Sequence, residues 1–202
     1  SYGRDWAAAF ARAYQAREGW VVARDPYLAG VTEWEGYARY LATLEPDLVA
    51  FPGGAEDAAP FVRALRRAGV DAPVLGGDAL APLADSAGFS GIHYAAAFAA
   101  ERAETPLARR FVEAFARRHG TRPGVRAAMA WEAATVVGRA VLAVGPDAPA
   151  RRAEVRDWIA GLGRETPALA GLAGPIAFDE GHAVRGRGAV IVTVDAARGG
   201  VR

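Results

Sequence analysis

The sequence of 202 residues contains no cysteine and no lysine, and it has only three serines. Without cysteine there is no disulfide, no thiolate metal site and no cysteine nucleophile. Without lysine there is no phosphate-binding loop of the Gly-Lys-Ser/Thr type. Neither a Gly-x-Gly-x-x-Gly nor a Gly-x-Ser-x-Gly motif occurs. These absences exclude most of the common catalytic and nucleotide-binding motifs.

Charge and hydropathy exclude two further classes of protein. The 24 basic residues balance 23 acidic ones, and the net charge of +1 offers no basic stripe for nucleic acid. No uninterrupted apolar run approaches ~18 residues, so the sequence predicts no membrane-spanning helix. The first residues, 1–5, are typical of the start of a helix and not of a signal peptide. A hydrophobic content of 52% with 23% charged residues is typical of a globular protein.

The first half of the chain alternates between short apolar strands and helices. The predicted strands are 20–23, 47–51, 73–76 and 91–95, and the predicted helices are 5–17, a helix after a Thr32–Glu35 capping box, 57–68 and 80–87. We expect Gly19 to end the first helix. Short strands that are apolar throughout, each followed by a helix, indicate an α/β fold in which a parallel sheet carries helices on both faces.

The second half is mainly helical. Its apolar spacing predicts helices at 106–119, 124–144 and 151–162, with no strand between them, followed by strands at 175–178 and 189–194. A long helical stretch after an alternating region indicates a second structural layer.

Candidate functional residues lie where predicted parallel strands end, because ligands of such sheets bind beyond the carboxyl ends of the strands. These places are 51–55, 76–80 and 95–99. Asp78 follows a strand, and it is equally well explained as a helix cap or as a carboxylate facing a cleft. The histidines lack metal-ligand spacing, and His93 lies within a predicted strand.

A series of short motifs runs through nearly the whole chain. In order they are Tyr2-Gly3-Arg4, Tyr27-x-x-Gly30-x-x-Glu33-Trp34, Asp47-Leu48-Val49, Gly53-Gly54, Phe61-x-x-Ala64-x-Arg66-x-x-Gly69, Gly76-Gly77-Asp78, Trp131-Glu132-Ala133 and Gly174-Pro175-Ile176-Ala177-Phe178-Asp179-x-Gly181. Together they resemble the C-terminal portion of the type I periplasmic binding proteins, in particular the leucine/isoleucine/valine-binding branch that serves ABC transporters. Glu33 and Trp34 replace the usual Asp and Phe of that family, and Trp131-Glu132 replaces Tyr-Asp.

The resemblance implies two α/β lobes joined by three crossings, with the ligand between them. Residues 1–97 would form the second lobe, 98–187 the mainly helical segment that returns to the first lobe, and 188–202 the last strand, which rejoins the second lobe, and the tail. The opening strands of the first lobe would precede residue 1. Helices that lack part of their sheet expose apolar surface. We therefore expect the chain to pair with a missing N-terminal lobe or with a second copy of itself.

The resemblance also implies site residues. Tyr2 corresponds to an aromatic residue that closes over the ligand, and Asp78, beside Gly77, corresponds to the acidic partner of the ligand ammonium group. Gly54 and Ala55 stand where a second aromatic residue would line the pocket, which implies a larger or differently shaped pocket. The chain would supply at most half of the site, so weak binding is expected.

The function implied is that of an extracytoplasmic solute-binding protein of an ABC transporter. It would bind an amino acid or a similar small polar ligand, work in the periplasm or at the cell surface, lipid-anchored or soluble, and pass the ligand to a permease. No catalysis, metal, cofactor or nucleic acid is implied. Two alternatives stay open: a ligand-sensing domain of a receptor or amide-responsive regulator, and an α/β enzyme that uses Asp78 with His93 as an acid–base pair.

Overall fold

The structure, a computed structural model, describes residues 2–28, 30–85, 88–195 and 200–201. The chain divides into two compact units, unit 1 (Ser1–Ala96 and Ile191–Arg202) and unit 2 (Ala97–Val190). In chain order the elements are α1 (Tyr2–Gln15), α2 (Glu35–Ala42), β1 (Val49–Phe51), α3 (Ala55–Arg67), β2 (Val74–Gly77), a 3-10 helix (Asp78–Asp85), β3 (Ile92–Ala96), a second 3-10 helix (Ala100–Arg102), α4 (Pro106–His119), α5 (Val125–Val144), α6 (Arg152–Ala160), β4 (Leu169–Gly171), β5 (Gly174–Ile176), β6 (Val190–Asp195) and β7 (Gly200–Val201).

The main sheet has the strand order β1-β2-β3-β6-β7. Its first three strands are parallel, with Val49 opposite Val74 and Val74 opposite Ile92. β6 and β7 pair in the antiparallel direction. Val74, Ile92 and Val192 are buried almost completely, so the sheet forms the core of unit 1. The predicted α/β class with a parallel sheet flanked by helices is confirmed.

A cluster of aromatic side chains packs beside β1. Trp34 is 2% exposed, and its ring contacts those of Phe51 and Phe61 at centroid distances of 6.0 and 5.1 Å. Tyr27 and Tyr37 complete the cluster at 5.0 and 5.6 Å from the Trp34 ring. The cluster joins the segment before α2 to the strand and to α3.

Unit 2 has two small apolar cores and a buried ion pair. One core contains Phe98, Phe111 and Leu172, and the other contains Val136, Leu162 and Ile176. Between α5 and the β4–β5 hairpin, the side chain of Glu132 is 7% exposed and that of its partner Arg187 is 13% exposed, at an Nη1–Oε2 distance of 2.6 Å.

One described helix, α5, is long and apolar enough to cross a membrane by length and composition alone, with a mean hydropathy of 1.4. The helix contains no long uninterrupted apolar run, because Arg126, Glu132 and Arg139 divide it, so the sequence did not predict it as a candidate span. Only 22% of its apolar window is buried. A single helix of this kind is weak evidence for a span, and the Glu132 ion pair instead ties α5 to unit 2.

Three predictions for the first helices and strand are wrong. Residues 20–23 form no strand, and Trp20 is 84% exposed, because no neighbouring strand pairs with this segment. Helix α1 ends at Gln15 and not at Gly19. The residue with the left-handed conformation that often follows a helix is Glu18, with a φ of 65°. The Thr32–Glu35 capping box does not form, since α2 begins after Trp34 without a side-chain cap. The Glu35 carboxylate instead accepts a hydrogen bond from Arg67 at 2.6 Å.

Other boundaries differ in smaller ways. The helix expected at 80–87 is a 3-10 helix that begins at Asp78, and Ala87 lies outside the described residues. The strand expected at 175–178 is β5, which pairs with the unpredicted strand β4 in a hairpin. The expected tail is described only in part, since residues 196–199 and 202 lie outside the described residues.

Candidate functional site

The carboxyl ends of the first parallel strands form one edge of unit 1. β1 ends at Phe51 and is followed by the turn 52–54, and β2 ends at Gly77 and is followed by Asp78. Parallel strands that pair in register end at the same edge of a sheet, which brings these two segments together. This edge is called the carboxyl edge below.

Tyr2 and Asp78 meet at the carboxyl edge. A Cβ atom added to Gly77 would lie 2.5 Å from the Tyr2 hydroxyl oxygen. The hydroxyl can therefore occupy this position only because Gly77 has no side chain. Burial raises the pKa of Tyr2, and the negative charge of Asp78 and a hydrogen bond to its carboxylate raise it further. The phenol is therefore a hydrogen-bond donor at neutral pH. Asp78 is exposed to solvent, which leaves its carboxylate accessible to a cationic ligand.

Tyr2 is the first residue of helix α1. Trp6, Phe10 and Tyr14 stack at spacings of four residues, with centroid distances of 5.4 and 5.5 Å. Near the start of the helix, a Cβ atom on Gly3 would lie 3.2 Å from the carbonyl oxygen of Pro52. The small residue at position 3 thus lets the first turn of α1 lie against the turn that follows β1.

Gly54 and Ala55 leave open space beside this turn. Gly54 is the N-cap residue of α3 with extended backbone angles, and Ala55 is the first residue of the helix. Apart from its chain neighbours, the atoms nearest to a Cβ placed on Gly54 belong to the side chain of Glu56, the first of them at 3.6 Å. Both residues are partly exposed, and neither carries a large side chain.

Two further residues belong to the carboxyl edge that sequence reasoning did not select as site residues. The hydroxyl of Tyr27 interacts with the carboxylate of Asp57, in the first turn of α3. It also occupies the space that a side chain on Gly53 would need. Burial, followed by the charge of Asp57 and a hydrogen bond to it, raises the pKa of Tyr27 to about 12. Tyr27 belonged to a recognised motif, but nothing in the motif indicated its contact with a residue thirty positions later.

Asp78 and His93 are not brought together as an acid–base pair. His93 lies opposite Leu75, three residues before Asp78, which corresponds to about 10 Å along the strand. Its Nδ1 atom is 3.0 Å from the hydroxyl oxygen of Thr193, so the ring is engaged with the neighbouring strand β6. Among the described residues there is also no group of three or more His, Cys, Asp or Glu side chains that could hold a metal ion.

Comparison with known proteins gives the family. The sequence profile described as periplasmic binding protein matches residues 1–200. The chain belongs to the periplasmic binding protein family. No curated protein matches the sequence.

Solved structures of this family share the fold. The leucine binding protein LivK of Thermotoga maritima superposes with a TM-score of 0.82 at 21% identity, over 100% of this chain and 56% of LivK. The ABC transporter solute binding protein of R. palustris in complex with benzoate gives 0.79 at 22% identity, over 96% of this chain and 52% of its own.

A third relative is the branched-chain amino acid transporter substrate binding protein LivJ of Streptococcus pneumoniae, in complex with isoleucine. It superposes with a TM-score of 0.78 at 23% identity, over 98% of this chain and 55% of its own. The chain therefore spans about half the length of the solved relatives that it matches. The fold and family are those of solute-binding proteins that carry out no catalysis.

Proposed function

We propose that this chain binds an amino acid or a similar small polar ligand at the carboxyl edge of unit 1, as part of the solute-binding component of an ABC transporter. The observation that carries the proposal is the meeting of Tyr2 and Asp78 over Gly77. A ligand ammonium group needs a carboxylate and a hydrogen-bonded surrounding, and the exposed Asp78 beside an aromatic ring offers both. The ligand would replace the Tyr2 hydroxyl as the partner of this carboxylate.

The two units fit the family's two-lobed architecture. We assign unit 1 to the second lobe and unit 2 to the segment that returns to the first lobe. In this family a ligand is enclosed between lobes, and closure about a hinge completes its contacts. The chain would then supply one side of the site, and the remaining length that its relatives possess would correspond to the other. The working place would be the periplasm or the cell surface, and the partner a membrane permease.

The size of the ligand depends on the space at Gly54 and Ala55. Relatives bind ligands as different as leucine and benzoate. Apart from its chain neighbours, the atoms nearest to a Cβ on Gly54 belong to the Glu56 side chain, so no aromatic ring fills this place. We therefore propose a ligand with an ammonium group and a bulky or polar second end.

A thermal-shift screen of the chain against the twenty amino acids, small amides and small carboxylates tests this function. A ligand at one hundred times its Kd adds about 2.7 kcal/mol to the free energy of unfolding, which raises the Tm by about 5–10 °C. The change Asp78→Asn should abolish the shift for amine-bearing ligands. The control is Asp71→Asn, since Asp71 is also exposed but precedes β2 and lies at the opposite edge. A shift that persists in Asp78→Asn would contradict the assignment.

A further inference from the structure

The ring of Tyr27 packs against two buried aromatic rings. Its ring stacks on that of Phe51 at a centroid distance of 5.4 Å and an interplanar angle of 13°. It also meets the ring of Trp34 edge-on at 5.0 Å. Trp34 and Phe51 are 2% and 3% exposed. These contacts give the Tyr27 ring a fixed position relative to β1, so its hydroxyl has a fixed place as well.

The Tyr27 hydroxyl binds to the turn between β1 and α3. Burial raises the pKa of this phenol, and the charge of Asp57 and a hydrogen bond to it raise the pKa further, so the hydroxyl lies next to the Asp57 carboxylate. Asp57 belongs to the first turn of α3, at the positive end of the helix dipole. The hydroxyl also fills the space above Gly53, where any side chain would collide with it and with the Phe51 ring. Because the pKa of Tyr27 is raised to about 12, the phenol remains a donor throughout the physiological range.

The turn held in this way touches both parts of the proposed ligand site. Its first residue, Pro52, approaches Gly3 of α1, the helix that carries Tyr2. Its last residue, Gly54, borders the open space at the start of α3. A shift of the turn would therefore change the shape of the space and the position of the Tyr2 hydroxyl together.

We propose that Tyr27 is a positioning residue for the ligand site, which fixes the turn 52–54 through its hydrogen bond to Asp57 and its contact with Gly53. The inference rests on the proposed function, because it concerns the site at the same carboxyl edge. Tyr27 itself does not touch the ligand. Its loss should change ligand affinity through the turn, whereas a merely structural role would change stability alone.

Four variants of the full chain separate these roles. Tyr27→Phe keeps the stacked ring and removes the hydroxyl, and Asp57→Ala removes the acceptor. Asp57→Asn keeps an acceptor oxygen and should restore binding. Tyr37→Phe is the matched control, because Tyr37 belongs to the same aromatic cluster and packs 5.6 Å from Trp34. Titration calorimetry with L-phenylalanine and with L-glutamine, which combine an ammonium group with a bulky or a polar end, gives Kd. Thermal unfolding gives Tm, and hydrogen exchange of residues 52–58 reports on the turn.

We expect Tyr27→Phe and Asp57→Ala each to weaken binding of the probe about tenfold, because the turn that borders both parts of the site is no longer held in one position. A variant that combines Tyr27→Phe with Asp57→Ala should bind the probe no more weakly than either single variant, because both changes remove the same contact. Asp57→Asn should stay within about twofold of the unchanged chain. Exchange in residues 52–58 should quicken in the two weakened variants, and their Tm should fall by a few degrees. Because the titration is done well below both Tm values, a loss of affinity there reports on the turn and not on global unfolding.

Three results would overturn the inference, and they differ from failure of the proposed function. If the unchanged chain binds a probe and Tyr27→Phe binds it equally well, the positioning role is wrong and the ligand site stands. The same holds if binding falls only in proportion to Tm, or if exchange in residues 52–58 does not change. If neither probe binds and no other compound of the thermal-shift screen binds, the proposed function fails, and the positioning role fails with it.

Discussion

At the residue scale, Trp34 combines deep burial with an unmet hydrogen bond. Among the fully buried side chains of the described residues, that of Trp34 is the largest. Its indole Nε1 has no hydrogen-bond partner among the described residues. The rings of Tyr27, Phe51 and Phe61 surround it. Burying a donor without a partner costs about 1–3 kcal/mol, so part of what the large ring contributes by packing is offset.

Trp34→Phe should consequently be tolerated far better than truncation. The phenyl ring keeps most of the aromatic contacts and removes the unpaired N–H, and we expect a loss of less than about 1.5 kcal/mol in the free energy of unfolding. Trp34→Ala should cost about 3–5 kcal/mol because it leaves a large cavity. Urea unfolding monitored by circular dichroism gives both values. Equal losses in the two variants would show that the N–H has a favourable partner.

Some residues of the candidate site can be selected from the sequence alone, and others cannot. Tyr2 and Asp78 could be selected from the sequence, because one opens a recognised motif and the other follows a strand, although their roles remain proposals. Tyr27 and Asp57 could not be paired in the same way. Their contact depends on the packing of the Tyr27 ring against Phe51, and no local pattern encodes that long-range contact.

At the scale of elements, the Glu132–Arg187 pair joins three parts of unit 2. Glu132, on α5, accepts a hydrogen bond from the backbone N–H of Leu172, in the β4–β5 turn. Arg187 donates to Glu132 and to the carbonyl oxygens of Gly174 and Pro175. A buried carboxylate is stable only when it is paired and hydrogen-bonded, as Glu132 is by Arg187 and by the Leu172 N–H. These bonds fix the hairpin against the helix.

Removing one partner of this pair should destabilise unit 2 strongly. Glu132→Ala leaves the Arg187 charge buried and unpaired, and we expect a loss of about 3–5 kcal/mol. Glu113→Ala is the control, because its exposed pairing with Arg117 at 3.9 Å should contribute about 0–1 kcal/mol. Hydrogen exchange of α5 measures the loss within unit 2. If the two variants lose the same amount, the buried pair does not hold the hairpin.

The elements differ in how far sequence determines them. The helix predicted at 106–119 is confirmed as α4, because Thr105 caps its start and Gly120, with a φ of 70°, ends it. Both signals lie within the segment itself. The strand predicted at 20–23 is wrong, because a strand exists only through hydrogen bonds to a neighbour. The hairpin of β4 and β5 was missed for the related reason that three-residue strands carry little pattern.

At the scale of the whole molecule, α5 exposes apolar surface. Leu142 is 77% exposed and Val137 is 50% exposed. Val141 lines a groove of about 1030 Å³ together with Ile159 and Phe178. Exposed apolar surface of this extent favours association.

We therefore expect the chain to associate as its concentration rises. Sedimentation velocity should show a weight-average coefficient that increases with concentration, and Val137→Gln combined with Leu142→Gln should reduce this increase. The control is Leu28→Gln, since Leu28 is 81% exposed but belongs to unit 1. A monodisperse monomer at every concentration, or an equal effect of the control, would refute the prediction.

A hydrogen-exchange footprint of the ligand tests directly whether unit 1 binds a solute at the carboxyl edge. The chain is compared with and without a saturating amount of the strongest ligand from the thermal-shift screen. We expect slower exchange in residues 2–6 of α1 and in residues 52–57 and 76–80 of the carboxyl edge, and loss of this protection in Asp78→Asn. Protection confined to other segments, or no ligand in the screen that slows exchange at this edge, would contradict the proposal that unit 1 binds a solute there.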